Sequence, residues 1–250
     1  MKITLFTLAL KNVNINKTVE SPLHQLCINS WSKIVTYLES KGYDAEIKIY
    51  DEDSPEFKTV YEDCIKGKSC SLRSHWADAF RMYILSEKPR HMWIDWDVYV
   101  RDCFEFDFEK EYFMRSFFLI YNKDNTDLFK AVYDKYKNDD LITLNDYKVS
   151  GYLEKEKIID YNFDSGFDKC VIHAPFIDDQ PVENLYFVNE EDEKDEFVQQ
   201  NKNNRKLYRF INPKTRKHHG IFGLYGEQVL IDFIKDNYEL TEEQLAKLEE

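Results

Sequence analysis

Two aspartates, Asp95 and Asp97, stand on either side of Trp96 directly after the apolar run His91-Met92-Trp93-Ile94. Carboxylates at i and i+2 repel one another, and both stay ionised most easily with a cation between them. A divalent metal held at a strand end has phosphate oxygens as natural further ligands. The spacing therefore points to a divalent metal holding a phosphorylated ligand. The other reading is a solvated acid pair at a strand end. Against it, the lead-in is apolar and the intervening residue is Trp, where an exposed turn favours Gly, Asn or Ser.

The acids need a scaffold. His91 to Ile94 reads as a short buried strand, and in open α/β sheets ligands bind beyond the carboxyl ends of strands. Ile3 to Leu10 is expected to be a first strand, covered on both faces. Ser21-Pro22 is a helix start, with Leu23, Leu26, Cys27, Trp31, Ile34 and Leu38 near helical spacing and Gly42 as the stop. Ala45 to Tyr50 follows as a strand, which makes β-α-β, the opening of a Rossmann-like layer.

Ser71 to Glu87, closed by Pro89, is a second helix. It carries Trp76, Phe80, Tyr83 and Ile84 on one side, with Asp78, Arg81 and Leu85 roughly opposite. On spacing alone, Asp78 and Arg81 at i, i+3 are expected to be a surface ion pair. Tyr112 to Tyr121 is expected as one strand, Asp127 to Lys137 as a helix and Lys169 to Phe176 as a strand. Asn189 to Glu196 reads as an acidic loop and Leu207 to Phe222 as a hairpin, with Gly226 to Tyr238 and Thr241 to Glu249 helical. Phe6, Trp31, Trp76 and Trp93 are expected in the core. One α/β domain spanning residues 1–250, less regular in its C-terminal third, is the expectation.

Composition narrows the partners. With 43% apolar and 16% aromatic residues, a chain of 250 residues is globular. Its 47 acidic residues outnumber 34 basic ones, for a formal charge of -13. Nucleic acid and bare anionic membranes both want clustered Lys and Arg, so neither is an expected partner. Five cysteines form no CxxC pair, which fits a reducing cytosol. No apolar run approaches the roughly 20 residues of a membrane span. A cytoplasmic protein, reaching any membrane through a partner, is the expectation.

The stretch Leu72-Arg73-Ser74-His75-Trp76-Ala77-Asp78-Ala79-Phe80-Arg81, then Leu85, then Trp93-Ile94-Asp95-Trp96-Asp97-Val98, resembles the sugar-binding region of DXD-type glycosyltransferases. The group includes capsular-polysaccharide enzymes and initiating mannosyltransferases. Leu26-Cys27-Ile28-Asn29-Ser30-Trp31 and Tyr43-Asp44-Ala45-Glu46-Ile47 resemble further elements of it, so the similarity covers about the first 100 residues. Two departures stand out: Ala77 replaces a Ser before Asp78, and the turn Ser86-Glu87-Lys88-Pro89-Arg90 lacks the usual Gly pair.

This resemblance implies a GT-A fold, a Rossmann-like mixed sheet flanked by helices. Residues 1–100 would bind a UDP- or GDP-sugar, and residues 101–250 a glycan or lipid-linked acceptor. Asp97 would ligate Mn²⁺ or Mg²⁺, and Asp95 would reach the ribose or sugar, or the metal through water. Asp78 and Arg81 would hold the donor sugar, beside Trp96, in a transfer with retention. Many such enzymes add a C-terminal His to the metal shell, and His173 or the pair His218-His219 are the candidates here.

Two other functions fit parts of the pattern. A haloacid-dehalogenase-type phosphatase would use Asp95 as nucleophile and Asp97 as acid/base with Mg²⁺, with Asp178-Asp179 as a second acid pair. Its supporting strand should end in Ser or Thr, whereas the run Phe117 to Tyr121 leads into Asn122. A non-catalytic carbohydrate-binding protein is the third reading, because fold does not fix function.

Overall fold

The structure, a computed structural model, describes residues 1–10, 22–68, 73–96, 98–101, 108–109, 112–113, 119–138, 171–173, 190–196, 198–199, 232, 235–236 and 239–249. Strand β1 (Lys2–Ala9) leads to helices α1 (Pro22–Ser30) and α2 (Ser32–Ser40), and then to β2 (Asp44–Asp51). Helix α3 (Pro55–Val60) continues into a π-helical turn, Tyr61–Ile65. Next come α4 (Arg73–Glu87), β3 (His91–Ile94), β4 (Val98–Val100), β5 (Tyr112–Phe113) and β6 (Leu119–Asn122). Helix α5 (Thr126–Asn138), β7 (Val171–His173) and α6 (Glu242–Glu249) complete the described elements.

The main sheet has the order β2-β1-β3-β6-β5. β1 is parallel to β2 and β3, while β6 runs antiparallel to both β3 and β5, so the sheet is mixed. Strand alternation divides the core into two layers. Ile3, Leu5, Met92 and Ile94 pack against Ile34 and Leu38 of α2. Phe6, Leu8, Trp93 and Ile120 pack against Phe80, Ile84 and Leu85 of α4 and Phe129 and Val132 of α5. Each large apolar side chain buried in this way contributes about 1.5–3 kcal/mol. The result is an α/β sandwich, as expected, with helices on both faces of the sheet.

Several elements differ from expectation. The single helix after Pro22 is two helices, broken at Trp31. The Ser30 hydroxyl donates to the Cys27 carbonyl at 2.6 Å and that of Ser32 to Asn29 at 2.8 Å. Such back-bonding competes with the helix ladder on both sides of the break. Gly42 does end α2, at a φ of +85° that only glycine adopts without penalty. Tyr112 to Tyr121 is not one strand. Tyr112 faces Tyr121 and Phe113 faces Ile120 across an antiparallel pair, and in sequence the polar Arg115-Ser116 divides the two apolar arms.

Helix α3 was not anticipated, although Ser54 accepts the Phe57 N–H as its N-cap and Pro55 opens it. The strand expected from Lys169 to Phe176 is described only over β7, which pairs with β4 outside the main sheet. In the expected acidic loop, Asp192–Lys194 forms a 3-10 turn. The hairpin expected over 207–222 and Asp178-Asp179 lie outside the described residues, as does most of the helix expected over 226–238.

Candidate functional site

Alternation along β3 turns Met92 and Ile94 toward the α2 layer and Trp93 toward α4. Asp95 follows where the strand leaves the sheet and is half-buried. Its carboxylate is held by the residue two positions before it: Trp93 Nε1 donates to Asp95 Oδ1 at 2.5 Å.

Above them lies α4, bringing Asp78 and Arg81 from one helical turn. Arg81 is 3% exposed and Asp78 7%, so the expected surface ion pair is instead a buried one. The reason is packing: α4 is covered by the sheet, α3 and α5, which leaves this face little access to solvent. Arg81 Nη2 donates to Asp78 Oδ1, and Arg81 Nη1 lies 3.6 Å from Asp95 Oδ1. The same guanidinium sits 5.6 Å from the centre of the Trp93 ring. Burying a guanidinium is costly unless carboxylates compensate it. Here two carboxylates flank the one guanidinium.

Beyond Asp95 the chain turns, with the Val98 N–H donating to the Asp95 carbonyl at 3.0 Å and Trp96 half-buried between them. Asp97 lies outside the described residues. β4 starts at once and is tied to the α1–α2 junction. Trp31 Nε1 donates to the Val98 carbonyl at 2.8 Å, and the Val100 N–H donates to Ser30 Oγ at 2.8 Å. The Ser30-Trp31 element, 67 residues upstream of Val98 for the tryptophan, thus anchors the segment that follows the acid pair.

Of the histidine candidates, His173 stands in register with Val98 across the β4–β7 pair, which brings its backbone beside the turn. His218 and His219 lie outside the described residues, as do the side-chain contacts of His173. The structure therefore joins Asp78, Arg81 and Asp95, sets Trp96 in the turn that follows Asp95 and brings the His173 backbone near that turn. Two contributions go beyond the sequence pattern, in which Trp93 is a core residue within the motif stretch and Ser30 only a part of the resemblance; a buried indole needs an acceptor, and Asp95 two residues on is the available signal.

The donor set bears on the metal. Among the described residues, no three or more His, Cys, Asp or Glu side chains gather into one cluster. Among the described residues Asp95 is the candidate carboxylate at the strand end, and its Oδ1 accepts from Trp93 and faces Arg81; an ion of the Mg²⁺ or Mn²⁺ kind there would draw further ligands from Asp97 and from a bound ligand. No helix among the described residues is long and apolar enough to cross a membrane. In comparisons with known proteins, no family model, curated protein or solved structure matches this chain.

Proposed function

We propose that this protein is a metal-dependent glycosyltransferase of the GT-A type, moving a sugar from a UDP- or GDP-sugar to a glycan or lipid-linked acceptor with retention. The observation that carries the reading is the chain formed by the buried Asp78–Arg81 pair and half-buried Asp95 at the carboxyl end of a central parallel strand. Helix and strand segments that resemble a sugar-binding region in sequence meet in space through charged groups that a core would otherwise exclude. The mixed sheet agrees with the same reading.

In this proposal Asp95 accepts hydrogen bonds from ribose or sugar hydroxyls, and Asp78 with Arg81 fixes the donor sugar from the α4 side. Asp97 and Asp95, with His173 or His219, would hold Mn²⁺ or Mg²⁺. When bound, the ion neutralises charge on the leaving diphosphate. Trp96 supplies an apolar wall beside the donor.

The test is thermal shift with a panel of UDP- and GDP-sugars, with and without Mn²⁺, because a ligand selective for the native state raises its stability. A Mn²⁺-dependent shift with slow donor hydrolysis, both lost in Asp97→Ala, supports the proposal. Hydrolysis of an aryl phosphate lost in Asp95→Asn, with no response to any nucleotide-sugar, would replace it with the phosphatase reading. Glycan binding without turnover of either substrate would favour the non-catalytic one.

A further inference from the structure

We propose that Trp93 is a positioning residue of this site, setting both the Asp95 carboxylate and the Arg81 guanidinium. This rests on the donor-binding reading above. Trp93 is 2% exposed and packs edge-on against Phe6 at 5.4 Å between ring centres, which by itself describes a core residue. Its polar atom does something else. A buried indole N–H usually finds an acceptor, and here that acceptor is the side chain of a candidate ligand-binding acid, reached at 2.5 Å. The ring face also lies beneath Arg81, 5.6 Å from the guanidinium carbon, and Arg81 in turn approaches the same Asp95 oxygen at 3.6 Å.

Alternation along β3 turns Trp93 toward α4 and Arg81. The chain then leaves the strand so that Asp95, two residues on, meets the indole N–H. Phenylalanine at position 93 would keep the platform for Arg81 and lose the donor. Leucine would lose both. Carboxylates that must meet a ligand in one geometry depend on neighbours that lock their rotamers, and this is the part that Trp93 plays.

Two replacements separate the donor from the packing. Trp93→Phe keeps an aromatic ring, and benzothienylalanine at position 93 keeps the full bicyclic shape with sulfur in place of N–H. The affinities of UDP-glucose and GDP-mannose are read by calorimetry with Mn²⁺, alongside Mn²⁺ alone, with circular dichroism to check folding. Where donor hydrolysis is measurable, kcat and KM are separated. A charge-assisted hydrogen bond predicts donor affinity weaker by about tenfold in both variants. It also predicts no further loss when either replacement is added to Asp95→Ala, which removes the acceptor. Wild-type affinity in the benzothienylalanine protein, or a full additional loss in the Asp95→Ala background, overturns the role of Trp93 while leaving donor binding intact. If the wild-type protein binds neither donor, the donor-binding reading fails and this role fails with it.

Discussion

Arg81 and Asp95, fourteen residues apart in sequence, meet at 3.6 Å where helix α4 crosses the end of β3. Asp78 accepts from Nη2 of the same guanidinium, whose Nη1 faces Asp95. Removing one partner of a buried ion pair costs about 3–5 kcal/mol, since the other charge stays desolvated. Asp78→Ala is therefore expected to lower unfolding stability by about that much, read from the denaturant midpoint. A loss of only a few tenths would mean that solvent reaches Arg81.

The anchoring of β4 predicts a milder effect with a functional signature. In Trp31→Phe the buried Val98 carbonyl loses the indole donor found at 2.8 Å. An orphaned buried acceptor costs about 1–3 kcal/mol. The turn after Asp95 should also loosen, so Mn²⁺-dependent donor affinity should fall together with stability. Loss of stability with unchanged donor affinity would separate Trp31 from the site.

Much of this arrangement was legible in the sequence. The apolar run before Asp95, the strand-helix-strand opening and the Gly42 stop follow from local chemistry; the run and the stop appear where they were expected, and the opening appears with its helix split in two. The burial of Asp78 and Arg81 was not legible from i, i+3 spacing. It is set by α5 and the sheet covering a helix whose own pattern is only partly amphipathic. The break at Trp31 is local, set by the Ser30 and Ser32 back-bonds, but the role of the Trp31 indole was not legible, because its acceptor lies in β4. Local pattern places elements; long-range partners decide what each side chain is for.

His91, at the opposite end of β3 from Asp95, gives a pH prediction. Burial pushes its imidazole below the ordinary value near 6.5, outweighing the help of the Pro89 carbonyl, to which its Nδ1 donates at 2.9 Å, and of Glu46; Lys88 and Lys48 add to the depression. A depressed folded value means that the unfolded chain takes up the proton first as pH falls. The stability that neutral His91 confers is present above about pH 6.5 and is lost as pH drops from there toward the lowered folded value. Unfolding midpoints across that window should slope less in His91→Gln than in the wild type. Parallel curves would show that His91 is not the group responsible.

Thiol reactivity offers a simple check on the packing. Cys27 and Cys64 are both buried, and burial raises the Cys64 thiol above its usual range. Thiolate is the reactive form, so both should resist alkylation in native protein and react fully in denaturant. Rapid native labelling at Cys64, mapped by mass spectrometry, would contradict the contact between the π-helical turn and α5.

The most direct test of the central claim is a crystal soaked with Mn²⁺ and a UDP- or GDP-sugar, read by manganese anomalous scattering. The account predicts an anomalous peak at coordination distance from Asp97 or Asp95, with the donor diphosphate beside it. A bound nucleotide-sugar elsewhere on the protein, or those carboxylates turned to bulk water with no metal peak under saturating ligand, would contradict it.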